Sequence, residues 1–224
     1  MQYIKILGTA QDGGFPHPGC FQNCCSKAWN NPSQKRLVSS VAIIDDNLKK
    51  IWLFDISPDI NSQLHMIGEN YSIEGIFLTH AHYGHYSGIY QLGKEVMNLK
   101  NIPIYAMPLM KEFLQKNESV NFLINNKNIF IENLSEENSI LINGSTSVVP
   151  FDVPHRNEMS ETVGFKIVLS NKSFIYLPDI DTWEEWDCNL KEFIKSHDIL
   201  FLDGTFFRNG EIKTRNMKKY LIPQ

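Results

Sequence analysis

FLTHAHYGHYSG, residues 77–88, places three histidines within six positions at the end of an apolar run. In an extended backbone alternate side chains share a face, so His80 and His82 point to one spot. Gly84 lets the chain turn, and His85 then lies at the start of the next helix, facing back toward that spot. The stretch therefore predicts three imidazoles that converge at the end of a buried strand.

Converging imidazoles favour a metal centre. Imidazole is a common ligand of zinc, iron, copper and nickel, and a catalytic zinc site needs about three protein ligands with one position left open. A single histidine is more often an ordinary surface or core residue, but three of the seven histidines of the chain fall within this stretch. We therefore expect His80, His82 and His85 to contribute to a metal site.

The composition is that of an ordinary globular protein. Of the 224 residues 42% are hydrophobic and 12% aromatic, and the formal charge is -4, which is not typical of a disordered, fibrous or membrane chain. This length suits a single domain, residues 1–224. The mild acidity argues against general nucleic-acid binding, which usually needs a basic surface. A small-molecule substrate is the expected partner.

No targeting or membrane segment is evident. The start, MQYIKILGTAQDGG, lacks the basic segment, long apolar core and cleavage site of a secretory signal, and no apolar run is long enough to span a bilayer. We therefore expect a cytoplasmic protein without a membrane partner, in which the four cysteines stay reduced.

Apolar and β-branched segments bounded by turn residues predict strands, and amphipathic segments predict helices. The expected strands are YIKILGT, LVSSVAIID, KIWLFDI, GIFLT, IPIYA, NIFIEN, SILIN, STSVVPFDVPH, TVGFKIVLS, KSFIYLPDID and DILFLD. The expected helices are Pro58 to Ile67 with Ser57 as its cap, SGIYQLGKEVM, PLMKEFLQK and LKEFIKSH, and NFLINNKN is expected to be a surface connection. The expected strands follow one another along the sequence in runs of two or three. Two sheets packed face to face with helices outside therefore fit better than a doubly wound parallel sheet.

Two further strand ends carry ligand-type side chains. DVPHRNE ends a strand at His155, and IYLPDID ends another with Asp179 and Asp181. Taken singly, His155 is typical of a loop and the two aspartates are typical of caps. Together with the first histidine cluster, however, they are places where a β framework can present ligands at one rim.

This set resembles the metallo-β-lactamase superfamily, whose motif His-x-His-x-Asp-His is followed by a later strand-end histidine and then a strand-end aspartate. The matching residues are His80, His82, His85, His155 and Asp179. More narrowly, LGTAQDGGFPHPGC, THAHYGHYSG, VPHRNEMSETVGF, LPDIDTW and LFLDGTFF resemble the family of pyrroloquinoline quinone (PQQ) biosynthesis protein B and its relatives. The resemblance covers nearly the whole length and implies an α/β (α+β) fold, the αββα sandwich of the metallo-β-lactamase type.

The resemblance also implies how the metal ligands are shared between two metal sites. In two-metal members the equivalents of His80, His82 and His155 form the first site and the strand-end aspartate bridges, while the motif aspartate, His85 and a C-terminal histidine form the second. Gly84 replaces the motif aspartate here, as is usual among the relatives of protein B, and the sequence stops at KTRNMKKYLIPQ without a further histidine. We therefore expect a shortened C-terminal part, one well-formed metal site, and a second site that is weak or absent.

The expected activity is that of a metallo-hydrolase. A metal held by neutral imidazoles lowers the pKa of its bound water toward about 7 and generates hydroxide, and Asp179 could orient that water or act as a base. We expect zinc, with Asp179 and His85 as catalytic residues and an ester, lactone, thioester or phosphodiester as substrate.

Two other functions stay open. Histidines with one carboxylate are also the ligands of non-heme iron oxygenases, and the resemblance to protein B implies iron-dependent hydroxylation in cofactor biosynthesis, so iron or manganese is the alternative metal. The third alternative is a catalytically silent metal- or ligand-binding protein.

The segment GCFQNCCSKAW holds Cys20, Cys24 and Cys25. Thiolates are strong zinc ligands, and with His17 as a fourth ligand the three cysteines would form a tetrahedral structural zinc site. The spacing differs from the Cys-x-Cys-x-x-Cys pattern of the relatives, because Gln22 takes the middle place. Plain buried thiols are therefore the alternative.

Several other polar residues are expected to support the rim. Asp55 and Asp203 end strands and would hydrogen-bond ligand histidines, and Asp12 is a further candidate in the glycine-rich loop after the first strand. Arg156 and Glu158 would contact substrate or form a surface ion pair.

An exposed edge on the last strand would favour pairing with a second copy, so a homodimer is one option.

Overall fold

A computed structural model describes residues 1–205. These residues form two compact units, Met1–Asn133 and a second unit that starts at Leu134. None of the described helices combines the length and hydrophobicity needed to cross a bilayer. The C-terminal segment that we expect to be shortened lies outside the described residues, and the assignment of residues 1–224 to a single domain stays a prediction.

The first unit is built on one sheet. Its strands are β1 (Gln2–Gly8), β2 (Ser40–Asp45), β3 (Lys50–Phe54), β4 (Ser72–Phe77), β5 (Ile102–Ala106) and β6 (Ile129–Asn133), and they lie in this order. β2 is antiparallel to both β1 and β3, and the strands from β3 to β6 are parallel. β1, β3 and β4 therefore run in the same direction, and the segments that follow them emerge at the same edge of the sheet.

The helices of the first unit are α1 (Asn23–Asn30), α2 (Ile60–Ile67), α3 (Tyr83–Tyr86), α4 (Pro108–Lys116) and α5 (Glu118–Asn125). Apolar side chains of α2, α4 and α5 join those of the strands in one buried cluster, which includes Ile60, Ile76, Met110, Leu114 and Leu123. This cluster packs the helices against the strands, and the sheet supports the segments at its edge. Helix α1 was not predicted from the sequence.

The helix predicted from Pro58 instead begins at Ile60. The Ser57 hydroxyl accepts a hydrogen bond from the backbone N–H of Asp59 (3.1 Å) and donates to the buried side chain of Gln63 (2.9 Å). Residues 58–59 are therefore held in a turn ahead of the helix. Ser57 still organises the helix start, but from outside the helix.

The Asn-rich segment predicted as a surface connection lies largely within α5. The side chain of Asn117 accepts hydrogen bonds from the backbone N–H groups of Ser119 and Val120 and so caps the helix. Val120 and Leu123 are buried. Capping and burial outweigh the low helix propensity of asparagine.

The helix predicted over residues 87–97 begins four residues early and is short. α3 is followed directly by a 3-10 helix, Ser87–Leu92. Gly88 donates its N–H to the carbonyl of Ile56 (2.9 Å), and a β-carbon at position 88 would lie only 2.2 Å from the carbonyl oxygen of Ser57. Docking on this backbone positions the helix, and Gly93, which is extended, ends it.

The second unit contains a second sheet. Its elements are β7 (Ile140–Ile142), β8 (Thr146–Asp152), β9 (Val163–Leu169), β10 (Lys172–Leu177), α6 (Leu190–Lys195) and β11 (Ile199–Leu202), and the strand order is β11-β10-β9-β8-β7. β10 and β11 are parallel, and the other neighbours are antiparallel. β8 and β10 therefore run in the same direction, and the segments that follow them emerge at one edge.

Candidate functional site

Asp55 is the centre of the polar cluster at the edge of the first sheet. It follows β3, is 0% exposed, and takes an uncommon positive φ of 61°. Its carboxylate accepts hydrogen bonds from the backbone N–H of Thr79 (2.9 Å), from the Thr79 hydroxyl (2.9 and 3.0 Å) and from Nδ1 of His85 (2.7 Å). The expectation that Asp55 hydrogen-bonds a histidine of the cluster is confirmed.

Thr79 links this carboxylate to His80. Its single hydroxyl proton is directed at Asp55, so the Thr79 oxygen accepts from Nδ1 of His80, which lies 3.0 Å away. Nε2 of His80 then carries the lone pair. This role of Thr79 was missed, because a threonine at a strand end is common and its partner follows from the folded arrangement.

The three imidazoles of the motif lie together, as expected. The ring of His80 is 4.5 Å from that of His82 and 4.2 Å from that of His85, measured between centroids. Candidate ligand atoms of His80 and His82 lie within 4.8 Å of each other. His80 and His85 are each 1% exposed, so two of the three side chains are held in the protein interior.

Asp12 approaches the same cluster from the loop after β1. Its Oδ1 accepts a hydrogen bond from the backbone N–H of Gly84 (2.9 Å) and lies 3.6 Å from Nε2 of His85. Sequence reasoning placed Asp12 near the rim without a partner. Its contact with position 84 depends on a separation of 72 residues along the chain, which no local pattern indicates.

The second unit presents its own set of polar side chains. Oδ2 of Asp179, which follows β10, lies 3.7 Å from Nε2 of His155, which follows β8. Nδ1 of His155 lies 3.1 Å from Oδ1 of Asp181, and the backbone N–H of Asp181 donates to the carbonyl of Pro154 (3.0 Å). Asp181 is therefore placed to orient the His155 ring, a role different from the cap or rim ligand that the sequence suggested.

Neighbouring residues support this arrangement. Nε of Arg156 donates to Oδ1 of Asp181 (3.2 Å), so Arg156 forms the ion pair that was one of its two expected roles. Asp203 accepts from the backbone N–H of Ile180 (3.3 Å) and from Thr205, so its hydrogen bonds steady the segment beside Asp179, where we expected a histidine partner. Burial, together with the charge of Asp179, raises the pKa of Asp203 although the Thr205 hydrogen bonds oppose the shift.

The three clustered cysteines form a separate group in the first unit. Sγ of Cys24 lies 3.7 Å from Sγ of Cys20 and 3.9 Å from Sγ of Cys25. Two sulfur ligands of one tetrahedral zinc are about 3.8 Å apart, so these separations suit a shared ion. The imidazole of His17 packs near Gly13 and directs Nδ1 at the carbonyl of Pro18 (3.0 Å), and its role as fourth ligand stays a prediction.

Comparison with known proteins assigns the family. Residues 52–219 match the beta-lactamase superfamily domain. Coenzyme PQQ synthesis protein B of Methylorubrum extorquens is 25% identical over 239 aligned positions, which cover 94% of this chain and 75% of that protein.

Solved structures agree with this assignment. The crystal structure of Zn(2+)-bound PqqB from Methylobacterium extorquens has a TM-score of 0.75 at 26% sequence identity. The match covers 91% of this chain and 73% of the PqqB chain. A diphosphatase from the PhnP family has a TM-score of 0.67 at 24% sequence identity, and the match covers 90% of this chain and 74% of the diphosphatase chain. At this identity it supports the fold alone. The predicted α/β fold of the metallo-β-lactamase type is thereby confirmed, and the chain belongs to the beta-lactamase superfamily, within which it resembles coenzyme PQQ synthesis protein B.

Proposed function

We propose that the chain is a metal-dependent hydrolase acting on a small-molecule substrate. In this proposal the ligands of the main metal ion are His80, His82, His155 and Asp179. The order of these residues along the chain is that of the metallo-β-lactamase motif, and the fold belongs to the same superfamily. We propose zinc as the metal, which is also the ion bound to PqqB in its solved structure.

One observation carries this proposal. Nδ1 of His80 faces the Thr79 oxygen, and Nδ1 of His155 faces a carboxylate oxygen of Asp181. Histidines that bind metals almost always donate their second N–H to such an oxygen, which fixes the tautomer and the ring orientation. The hydrogen bond at His80 leaves its Nε2 as the ligand atom, and Nε2 of His155 lies on the side of Asp179, 3.7 Å from Oδ2. The chemistry of these donors suits zinc.

The protein groups would divide the remaining work. A metal bound to these residues would supply Lewis acidity toward the scissile group and toward water. Asp179 has a buried carboxylate beside His155, so it can orient water and accept a proton. Thr79 lies against the ring of His80 and Asp181 against that of His155. Rings held in place in this way would need little reorganisation during the reaction.

Removal of His82 tests the main centre. We expect His82→Ala to lose about one equivalent of metal and to lose hydrolysis of a panel of esters, lactones, thioesters and phosphodiesters, because it removes one of about three imidazole ligands. Elemental analysis of the purified protein provides the first readout. His65→Ala is the matched control, since His65 is exposed on α2. Full metal retention in His82→Ala would contradict the proposal.

A non-heme iron oxygenase is the second candidate function. The observation that favours it is the donor set itself, because imidazoles with one carboxylate also bind iron in oxygenases. The same elemental analysis distinguishes the two. Iron at the His82-dependent site together with oxygen consumption would select the oxygenase, and metal without either activity would select a silent binding protein.

We further propose that Cys20, Cys24 and Cys25 bind a structural zinc, in a cytoplasmic protein whose thiols stay reduced. Cys24→Ser should lose about one equivalent of zinc and lower the melting temperature, because a thiolate ligand is removed at an exposed position where packing changes little. The metal that depends on His82 should remain. Cys188→Ser provides the control, and unchanged zinc in Cys24→Ser would favour plain thiols.

A further inference from the structure

We propose that Asp12 supplies the carboxylate that Gly84 lacks, and that Asp12 and His85 together bind a second metal ion beside the main centre. The inference rests on the proposed function, because it adds an ion to the same centre. It revises our expectation that the missing motif aspartate leaves the second site without a carboxylate from this part of the chain.

The fold brings Asp12 to position 84. β1 and β4 run in the same direction, so the loop after β1 and the histidine segment after β4 emerge at the same edge. A turn closed by the N–H of Gly14 and the carbonyl of Gln11 (2.7 Å) carries Asp12 at its tip. Bridges from Ala10 to Val38 and from Phe15 to Arg36 fix both sides of this loop.

The space at position 84 explains why a side chain there and Asp12 exclude each other. A β-carbon built on Gly84 would lie 2.4 Å from Oδ1 and 2.7 Å from Cα of Asp12, and 3.0 Å from Cγ1 of Val38. The backbone of Val38 is itself held by Asp59 and Gln63. Val38 therefore cannot retreat without loss of these contacts, and Asp12 occupies the region that a side chain at position 84 would need.

The geometry between Asp12 and His85 suits a shared ion. Nδ1 of His85 donates to Asp55, so Nε2 carries the lone pair on the side that faces Asp12. The separation of 3.6 Å between this nitrogen and Oδ1 of Asp12 is longer than a hydrogen bond. It is close to the separation of about 3.4 Å expected for a nitrogen and an oxygen that ligate one tetrahedral ion.

The exposure of the two side chains predicts the behaviour of this second ion. His85 is 1% exposed, whereas the Asp12 side chain is 44% exposed. The ion would therefore have a fixed buried ligand on one side and an accessible carboxylate on the other. We expect it to bind more weakly than the ion of the main centre and to exchange readily.

A purely structural role for Asp12 gives a different result in a metal titration. In that role its carboxylate only accepts the N–H of Gly84. Asp12→Asn keeps an oxygen that can accept this bond but removes the charge that a metal needs. The variant therefore distinguishes a helix-capping role of Asp12 from a role as metal ligand, provided that the fold is retained. Near-ultraviolet circular dichroism checks that the fold is retained.

Titration of the chelator-treated protein with Mn(2+) tests the inference, since manganese suits carboxylate ligands and not the soft clustered thiolates. Calorimetry should resolve a tight and a weaker class of sites in the wild type. Asp12→Asn should weaken the second class by more than about tenfold and keep the first. His85→Asn should do the same, and the exposed control Glu69→Gln should match the wild type.

The outcomes distinguish the two proposals. A wild-type protein that binds no Mn(2+) and no Zn(2+) would overturn the proposed function and this inference with it. A wild type with one class of sites, or Asp12→Asn with both classes at wild-type affinity, would overturn only the inference. Loss of the weaker class in both Asp12→Asn and His85→Asn, with the tight class intact, is the supporting result.

Discussion

Asp55→Ala is expected to lower the free energy of unfolding by more than about 3 kcal/mol and to weaken metal binding by the histidine cluster. The Asp55 carboxylate is fully buried and accepts from two Thr79 donors and from Nδ1 of His85. Alanine leaves these donors buried without an acceptor, at a cost of about 1–3 kcal/mol for each unsatisfied group. Urea unfolding of the metal-free protein measures the first effect, and Mn(2+) titration measures the second.

Asp45→Ala is the matched control for this variant. Asp45 is also a buried carboxylate, and it accepts from the side chain of Gln2 (2.7 Å) and from the backbone N–H groups of Asn47 and Leu48 (3.0 and 3.1 Å). It ends β2, which is antiparallel to β3, so it lies at the opposite edge of the sheet. Asp45→Ala should lose comparable stability and keep metal affinity. Equal weakening of metal binding in both variants would show that Asp55 acts only through general stability.

The strand framework was predictable because its signals are local. β3 and β4 both end in buried aromatic residues, Phe54 and Phe77, and polar residues lie within two positions beyond each of these ends, at one edge of the sheet. The convergence of His80, His82 and His85 follows from strand alternation and one turn. Sequence therefore located the histidine cluster and its position at a strand end.

The supporting residues were less predictable because their partners are distant in sequence. Thr79 and Asp55 are 24 residues apart, and Asp12 and Gly84 are 72 residues apart. No periodic pattern relates such positions, and only the parallel direction of β1, β3 and β4 brings them together. Asp181 was also seen as a cap, because the two-residue spacing from Asp179 does not reveal that its carboxylate faces the His155 ring.

The missed helix α5 has a similar cause. Six of the eight residues of α5 are not strong helix formers, and only Glu118 and Leu123 are. Its formation depends on the Asn117 cap and on burial of Val120 and Leu123 against the first-unit core. Local propensity is a weak signal when tertiary packing supplies most of the helical stability.

Gly88→Ala is expected to destabilise the protein by about 3 kcal/mol, at the upper end of overpacking effects, and to displace His85. An alanine in an exposed helix would stabilise it by up to about 1 kcal/mol relative to glycine, so even the sign of the change is informative. The added β-carbon would lie 2.2 Å from the carbonyl oxygen of Ser57 and 2.9 Å from that of Ile56, and neither backbone atom can rotate away.

The 3-10 helix would therefore have to move away from residues 56–57. Its attachment consists of the N–H of Gly88 to the carbonyl of Ile56 and the N–H of Ile56 to the carbonyl of His85, both 2.9 Å. Movement at Gly88 strains both bonds and draws the His85 ring from Asp55, so urea unfolding and Mn(2+) affinity should change together. Gly204→Ala, whose β-carbon would meet no atom of residues 1–205 within 4 Å, should change neither. A stable Gly88→Ala with wild-type metal affinity would mean that the histidine segment tolerates displacement from this backbone, and that His85 is positioned by Asp55 alone.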